Sequence, residues 1–78
     1  MADTRMELRK VGVKRAFDII FGGEGHPEYI GVNHNTFNEL CIYIPIEKHR
    51  GLGFSFSGIQ IIIDERIKDD VAHLYYNV

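Results

Sequence analysis

Cysteine is almost missing from this 78-residue chain, with Cys41 standing alone. No intramolecular disulfide can form, which agrees with a reducing compartment. Glycine contributes only 8 residues while 45% of the chain is apolar, so collagen-like, disordered and disulfide-scaffold classes are excluded. Long hydrophobic runs are missing too: stretches such as Ile61-Ile62-Ile63 fall far below the ~20 residues of a membrane-spanning helix, and nothing reads as a secretory leader. There is no Asn-x-Ser/Thr glycosylation acceptor. These absences point to a cytoplasmic protein with no membrane partner.

Neither sign of charge dominates, since 9 Lys and Arg stand against 11 Asp and Glu for a formal charge of −2. The broad basic footprint of a nucleic-acid binder is therefore lacking, and a nucleic-acid partner would have to rest on the local basic stretch Arg5, Arg9, Lys10, Lys14 and Arg15. With Asp64, Glu65, Asp69 and Asp70 near the other end, the chain has a basic front and an acidic back. Its length suits a single domain, residues 1–78.

What is present is periodicity. Met6 and Leu8 alternate with Glu7 and Arg9 as in a strand, whereas Thr4-Arg5-Met6-Glu7 equally fits a helix capping box. Val13, Ala16, Phe17, Ile20 and Phe21 recur at helical spacing and predict an amphipathic helix ended by Gly22-Gly23. Tyr29 to Val32 predicts a short strand. Leu40, Ile42, Ile44 and Ile46, alternating with Glu39, Cys41, Tyr43 and Pro45, predict the strongest strand, with Cys41 a small buried hydrophobe and Pro45 confining the strand to an edge or ending it.

Leu52, Phe54 and Phe56, then Ile59, Ile61 and Ile63, predict either a hairpin turning at Ser57-Gly58 or one strand bent at Gly58. Asp64 as a cap, Glu65 in the first turn, and Ile67, Val71 and Leu74 at helical spacing predict a short final helix, with His73 to Val78 aromatic enough to form a last strand instead. Segregated helices and strands of this kind make an α+β fold: a small antiparallel sheet of three to five strands packed against the N-terminal amphipathic helix and the short C-terminal helix. The outer sheet face, with Tyr43, Ser55, Ser57 and Gln60, would be left to water or a partner.

Chemistry is sparse. Gly22-Gly23-Glu24-Gly25 closes a helix, whereas a phosphate loop opens one. His26, His34, His49 and His73 show no helical spacing to one another, and no CxxC or HExxH occurs, so no local metal motif is read; His26 and His34 with Glu24 or Glu28 could only be assembled in three dimensions. Asp69-Asp70 and Asp64-Glu65 are adjacent, so on a helix their side chains diverge and cannot act as a paired acid and base. The polar cluster Lys48-His49-Arg50 would present three donors on a loop between strands, suited to a phosphate, a carboxylate or an acidic protein patch. Tyr75-Tyr76 combines apolar area with hydroxyls, as interface residues do.

The last twenty-one residues, from Gly58-Ile59-Gln60-Ile61-Ile62-Ile63-Asp64 to Tyr76-Asn77-Val78, resemble the end of A-type iron-sulfur carrier proteins, where a glycine, an alternating strand and an aspartate lead into a short helix and a final strand. That resemblance implies a strand-helix-strand ending. The cluster-binding cysteines of that family have no counterpart, because Cys41 is alone and precedes the matching region.

No cofactor is implied. The reading that results is a small non-enzymatic interaction module that binds and modulates, or inhibits, a larger protein, with a homodimer as a further expectation. The alternative is a small ligand-binding domain or enzyme built around His34, His49 and Arg50. Expected binding residues are Lys48, His49, Arg50, His34, Tyr75 and Tyr76, with no catalytic or metal set.

Overall fold

The computed structural model describes residues 6–51 and 53–77. Within them the order is β1 (Met6–Gly12), α1 (Val13–Phe21), β2 (Tyr29–Val32), α2 (His34–Tyr43), β3 (Glu47–His49), β4 (Gly53–Phe56), β5 (Ile59–Ile63) and β6 (Val71–Asn77). The strands form one sheet in the order β1-β6-β2-β5-β4-β3. β2 and β5 run parallel and every other neighbouring pair antiparallel. The α+β class therefore holds, but the expected antiparallel sheet of three to five strands is a six-stranded mixed sheet among the described residues, and the second helix sits between β2 and β3 rather than near the C-terminus.

The largest correction is α2. The run from Leu40 to Ile46 alternates like a strand, yet Asn33 caps a helix there by accepting the Thr36 amide at 2.8 Å. Thr36, Phe37 and Leu40 are buried and Ile44 packs against the core, a helical stripe, while Ile42 and Tyr43 are 76% and 78% exposed. Pro45 follows the cap residue Ile44 and stops the helix. The helix lies in the connection between the parallel strands β2 and β5, where a long crossover is required and α2 with the β3–β4 hairpin forms it. Cys41, expected inside, is exposed as a result.

The expected helix after Asp64 is the second correction. Asp64 does accept the Arg66 amide at 3.0 Å, and it also accepts the Arg66 guanidinium at 3.0 and 2.8 Å, closing a local turn. Asp70 has φ of +61°, which no helix tolerates, and gives its amide to the Thr36 hydroxyl at 3.0 Å. The alternative of a last strand over the aromatic tail is what forms, as β6. The strand-helix-strand ending implied by the iron-sulfur carrier resemblance is thus a strand, a turn and a strand.

Other expectations match in outline. Met6 and Leu8 lie in β1, and Thr4 and Arg5 of the alternative capping box fall outside the described residues. α1 covers the predicted stripe and ends at Gly22 and Gly23, the latter at φ of +73°. β4 and β5 form the hairpin, with Ser57 and Gly58 both at positive φ, +52° and +80°, as a two-residue turn of matching twist requires.

Both helices cover one sheet face. Register aligns Ala72 and Leu74, Ile30, Ile59 and Ile61, and Phe54 and Phe56 on that side, and the core joins them to Ala16 and Ile19 of α1 and Phe37 and Leu40 of α2. Leu74 is fully buried and Ile59 1% exposed, each contributing about 1.5–3 kcal/mol of burial. On the opposite face Ile67, 3% exposed, folds over Gly31.

Candidate protein-interaction surface

α1 and α2 do not close against each other. Between them lies a groove of about 400 Å³ whose walls are mostly Val13, Phe17 and Phe21 from α1 and Leu40, Tyr43 and Ile44 from α2 and its cap. Its charged margin carries Lys14, Asp18 and Glu39, all exposed. The groove follows from local sequence. Helix α1 ends on Phe21 because Gly22 and Gly23 come next, so the last aromatic of the stripe overhangs the sheet and is 67% exposed. Its ring is nonetheless held, stacked on Phe17 at 6.0 Å between centroids and edge-on to Phe56 at 5.6 Å. Tyr43 overhangs in the same way from the last turn of α2. A held Phe21 ring at one helix end and an exposed Tyr43 ring at the other, with an apolar floor between them, make a surface suited to an apolar side chain.

The sequence-predicted residues lie elsewhere and do not assemble into one site. Lys48 and His49 alternate across β3, so their side chains take opposite sheet faces, and Arg50 begins the following turn. His34 is the exposed first residue of α2. It does not line the hollow beside His49, which is bounded by Glu47, Phe54, Ser55, Gly58 and Gln60. Tyr75 and Tyr76 alternate across β6: Tyr75 stands in register with Leu8 and Tyr29 on the helix-free face, whereas Tyr76 points to the helix side, its ring 5.7 Å under the Arg9 guanidinium. The Tyr76 hydroxyl is buried and without a hydrogen-bond partner among the described residues.

His49 forms one contact of chemical interest. Its Nε2 lies 2.5 Å from the Ser55 hydroxyl and 3.8 Å from a Glu47 carboxylate oxygen. A nucleophile-base-orienter relay needs the carboxylate on the other ring nitrogen. Here both neighbours address Nε2, on a half-exposed edge, so the trio lacks relay geometry. Among the described residues no three His, Cys, Asp or Glu side chains gather as a metal site, and no helix is long and apolar enough to cross a membrane. The chain matches no protein-family model, no curated protein sequence and no solved structure.

Sequence reasoning missed Phe21 as an exposed ring, and it placed Tyr43 on an outer face but on a strand rather than at the end of a helix. Phe21 belongs to the apolar stripe and is read as core, although its place just before Gly22-Gly23 is the signal that the helix ends beneath it. Tyr43 falls on the outer face of the alternation read as a strand. The signal that would have found it is Asn33 ahead of Thr36, Phe37, Leu40 and Ile44, a cap followed by helical spacing.

Proposed function

We propose that this protein is a non-enzymatic interaction module that binds and modulates a larger protein through the groove between α1 and α2. The observation that carries the reading is the pair of overhanging rings, Phe21 and Tyr43, 67% and 78% exposed over an apolar floor. The margin selects the partner's chemistry. Asp18 and Glu39 outnumber Lys14 there, so the segment that fits presents an aromatic or large aliphatic anchor flanked by Lys or Arg.

Selection from a displayed random-peptide library tests it, with wild type and a Tyr43→Asp variant as baits. Peptides enriched on wild type carry an apolar anchor with basic neighbours and lose binding on the variant. Enrichment that survives Tyr43→Asp, or peptides without an apolar anchor, would overturn the reading.

A further inference from the structure

We infer that β1 is a self-pairing edge, along which two copies of this chain join antiparallel into one continuous sheet. The inference stands on β1 alone and is independent of the groove between the helices.

The two edges of the sheet are unlike. β3 has three residues, Glu47–His49, all exposed, the short charged form in which natural sheets blunt an edge. β1 has seven, with Met6 to Lys10 all exposed, and among the described residues it pairs with β6 alone.

Backbone parity restricts how β1 can pair. The Val13 amide donates to the Asp70 carbonyl at 2.8 Å, continuing the β1–β6 register by one residue. Hydrogen-bonded pairs alternate along an antiparallel ladder, so Val11, Arg9 and Glu7 commit their backbone groups to β6. Those of Met6, Leu8 and Lys10 point away from the sheet. Outward residues must meet outward residues, so a two-fold axis can fall only where a residue opposes itself.

Charge then selects among the possible centres. An axis on Glu7, Arg9 or Lys10 sets like charges against each other, and an axis nearer either end of β1 engages too little of the strand. With the axis on Leu8, that residue meets Leu8 of the second copy, Met6 meets Lys10, and Glu7 meets Arg9 on both sides of the axis. Opposite charges directly across a strand pair favour it and like charges oppose it. Glu7 and Arg9 approach each other only to 4.0 Å within one chain and their side chains are 56% and 60% exposed; Arg9 also lies over the Tyr76 ring, which leaves its guanidinium edge open to a carboxylate across the axis. Leu8, 44% exposed, stands in register with Tyr75 and Tyr29, so the axis joins two half-exposed apolar rows on the helix-free face.

An edge contact of this length belongs to the small, transient class, so light scattering is read between roughly 10 µM and 1 mM. Wild type shifts from monomer to dimer over that range. Glu7→Arg and Arg9→Glu each weaken self-association on the order of tenfold, while their equimolar mixture forms a heterodimer at least as readily as wild type dimerises. If a variant does not fold, residue-resolved hydrogen exchange on wild type decides. Amides of Met6, Leu8 and Lys10 gain protection at high concentration, whereas Glu7, Arg9 and Val11 are protected at any concentration. A wild type that stays monomeric, charge variants that associate as it does without preferring each other, or concentration-independent exchange at Leu8 would each overturn the inference. Peptide selection reads the groove and these measurements read β1, so either proposal can fail alone.

Discussion

Asn33 and Ile67, 34 residues apart, are joined side chain to backbone: the Asn33 amide donates to the Ile67 carbonyl at 3.0 Å. The same side chain caps α2 through the Thr36 amide and reaches Asp69 at 2.5 Å. One buried residue thereby holds the start of a helix, the end of β2 and the turn that leads into β6.

Replacing it separates these roles. Asn33→Ala removes the cap and leaves the Ile67 carbonyl without its donor, so unfolding in urea is expected to show a loss of about 2–4 kcal/mol. Asn33→Asp keeps the cap acceptor but cannot donate to Ile67 and sets a second carboxylate beside Asp69, so it also destabilises. A residue that only capped the helix would accept Asp, and an Asp variant as stable as wild type would contradict the three-way role.

Gly31 lies beneath Ile67 on the helix-free face. A methyl group there would stand 3.1 Å from the Ile67 Cδ1 and 3.4 Å from the Tyr75 ring, tighter than packed carbon atoms sit. Gly31→Ala is expected to destabilise by about 1–2 kcal/mol. Adding Ile67→Val removes the opposing methyl, so the double variant should lose less than the sum of the two single changes. Strict additivity in thermal unfolding would mean that the two side chains do not meet.

Two groups make stability depend on pH, over separate ranges. His73 is held below its ordinary 6.5, first by burial and then by Lys10, with Asp64 opposing. The unfolded chain therefore takes up the proton more readily, and the stabilising contribution is complete above about pH 6.5 and is lost as pH falls from there through the lower folded value. His73→Gln should flatten the change in urea midpoint between about pH 7 and 5. Asp64 is lowered from 3.8 to about 2, chiefly by hydrogen bonds from the Arg66 side chain and backbone. Its contribution is present above pH 3.8 and is lost as pH falls through the folded value near 2. Arg66→Gln should remove much of that acid limb while leaving the His73 range unchanged.

Legibility differed from element to element. α1 could be read because its apolar residues keep one helical period and two glycines mark its end. Alternation on both sides of Ser57-Gly58 left a hairpin or one strand bent at Gly58, and the positive φ of both residues makes it the β4–β5 hairpin. The candidate groove could not be read, since each wall was assigned to the core or to a strand. Apolar character alone does not distinguish a ring packed inside from one overhanging a helix end.

By itself the sequence determined an α+β fold, the first helix, the two alternating runs on either side of Ser57-Gly58 and the lack of a local catalytic motif, because these rest on short-range periodicity and residue chemistry. Only the tertiary structure decided between the strand alternation and the helical spacing that residues 33–46 both carry, and that residues 64–70 form a turn rather than a helix. The reason is physical. Asn33 and Thr36 capture the Asp69 carboxylate together with the Ile67 carbonyl and the Asp70 amide, bonds between residues more than thirty positions apart that no local pattern encodes.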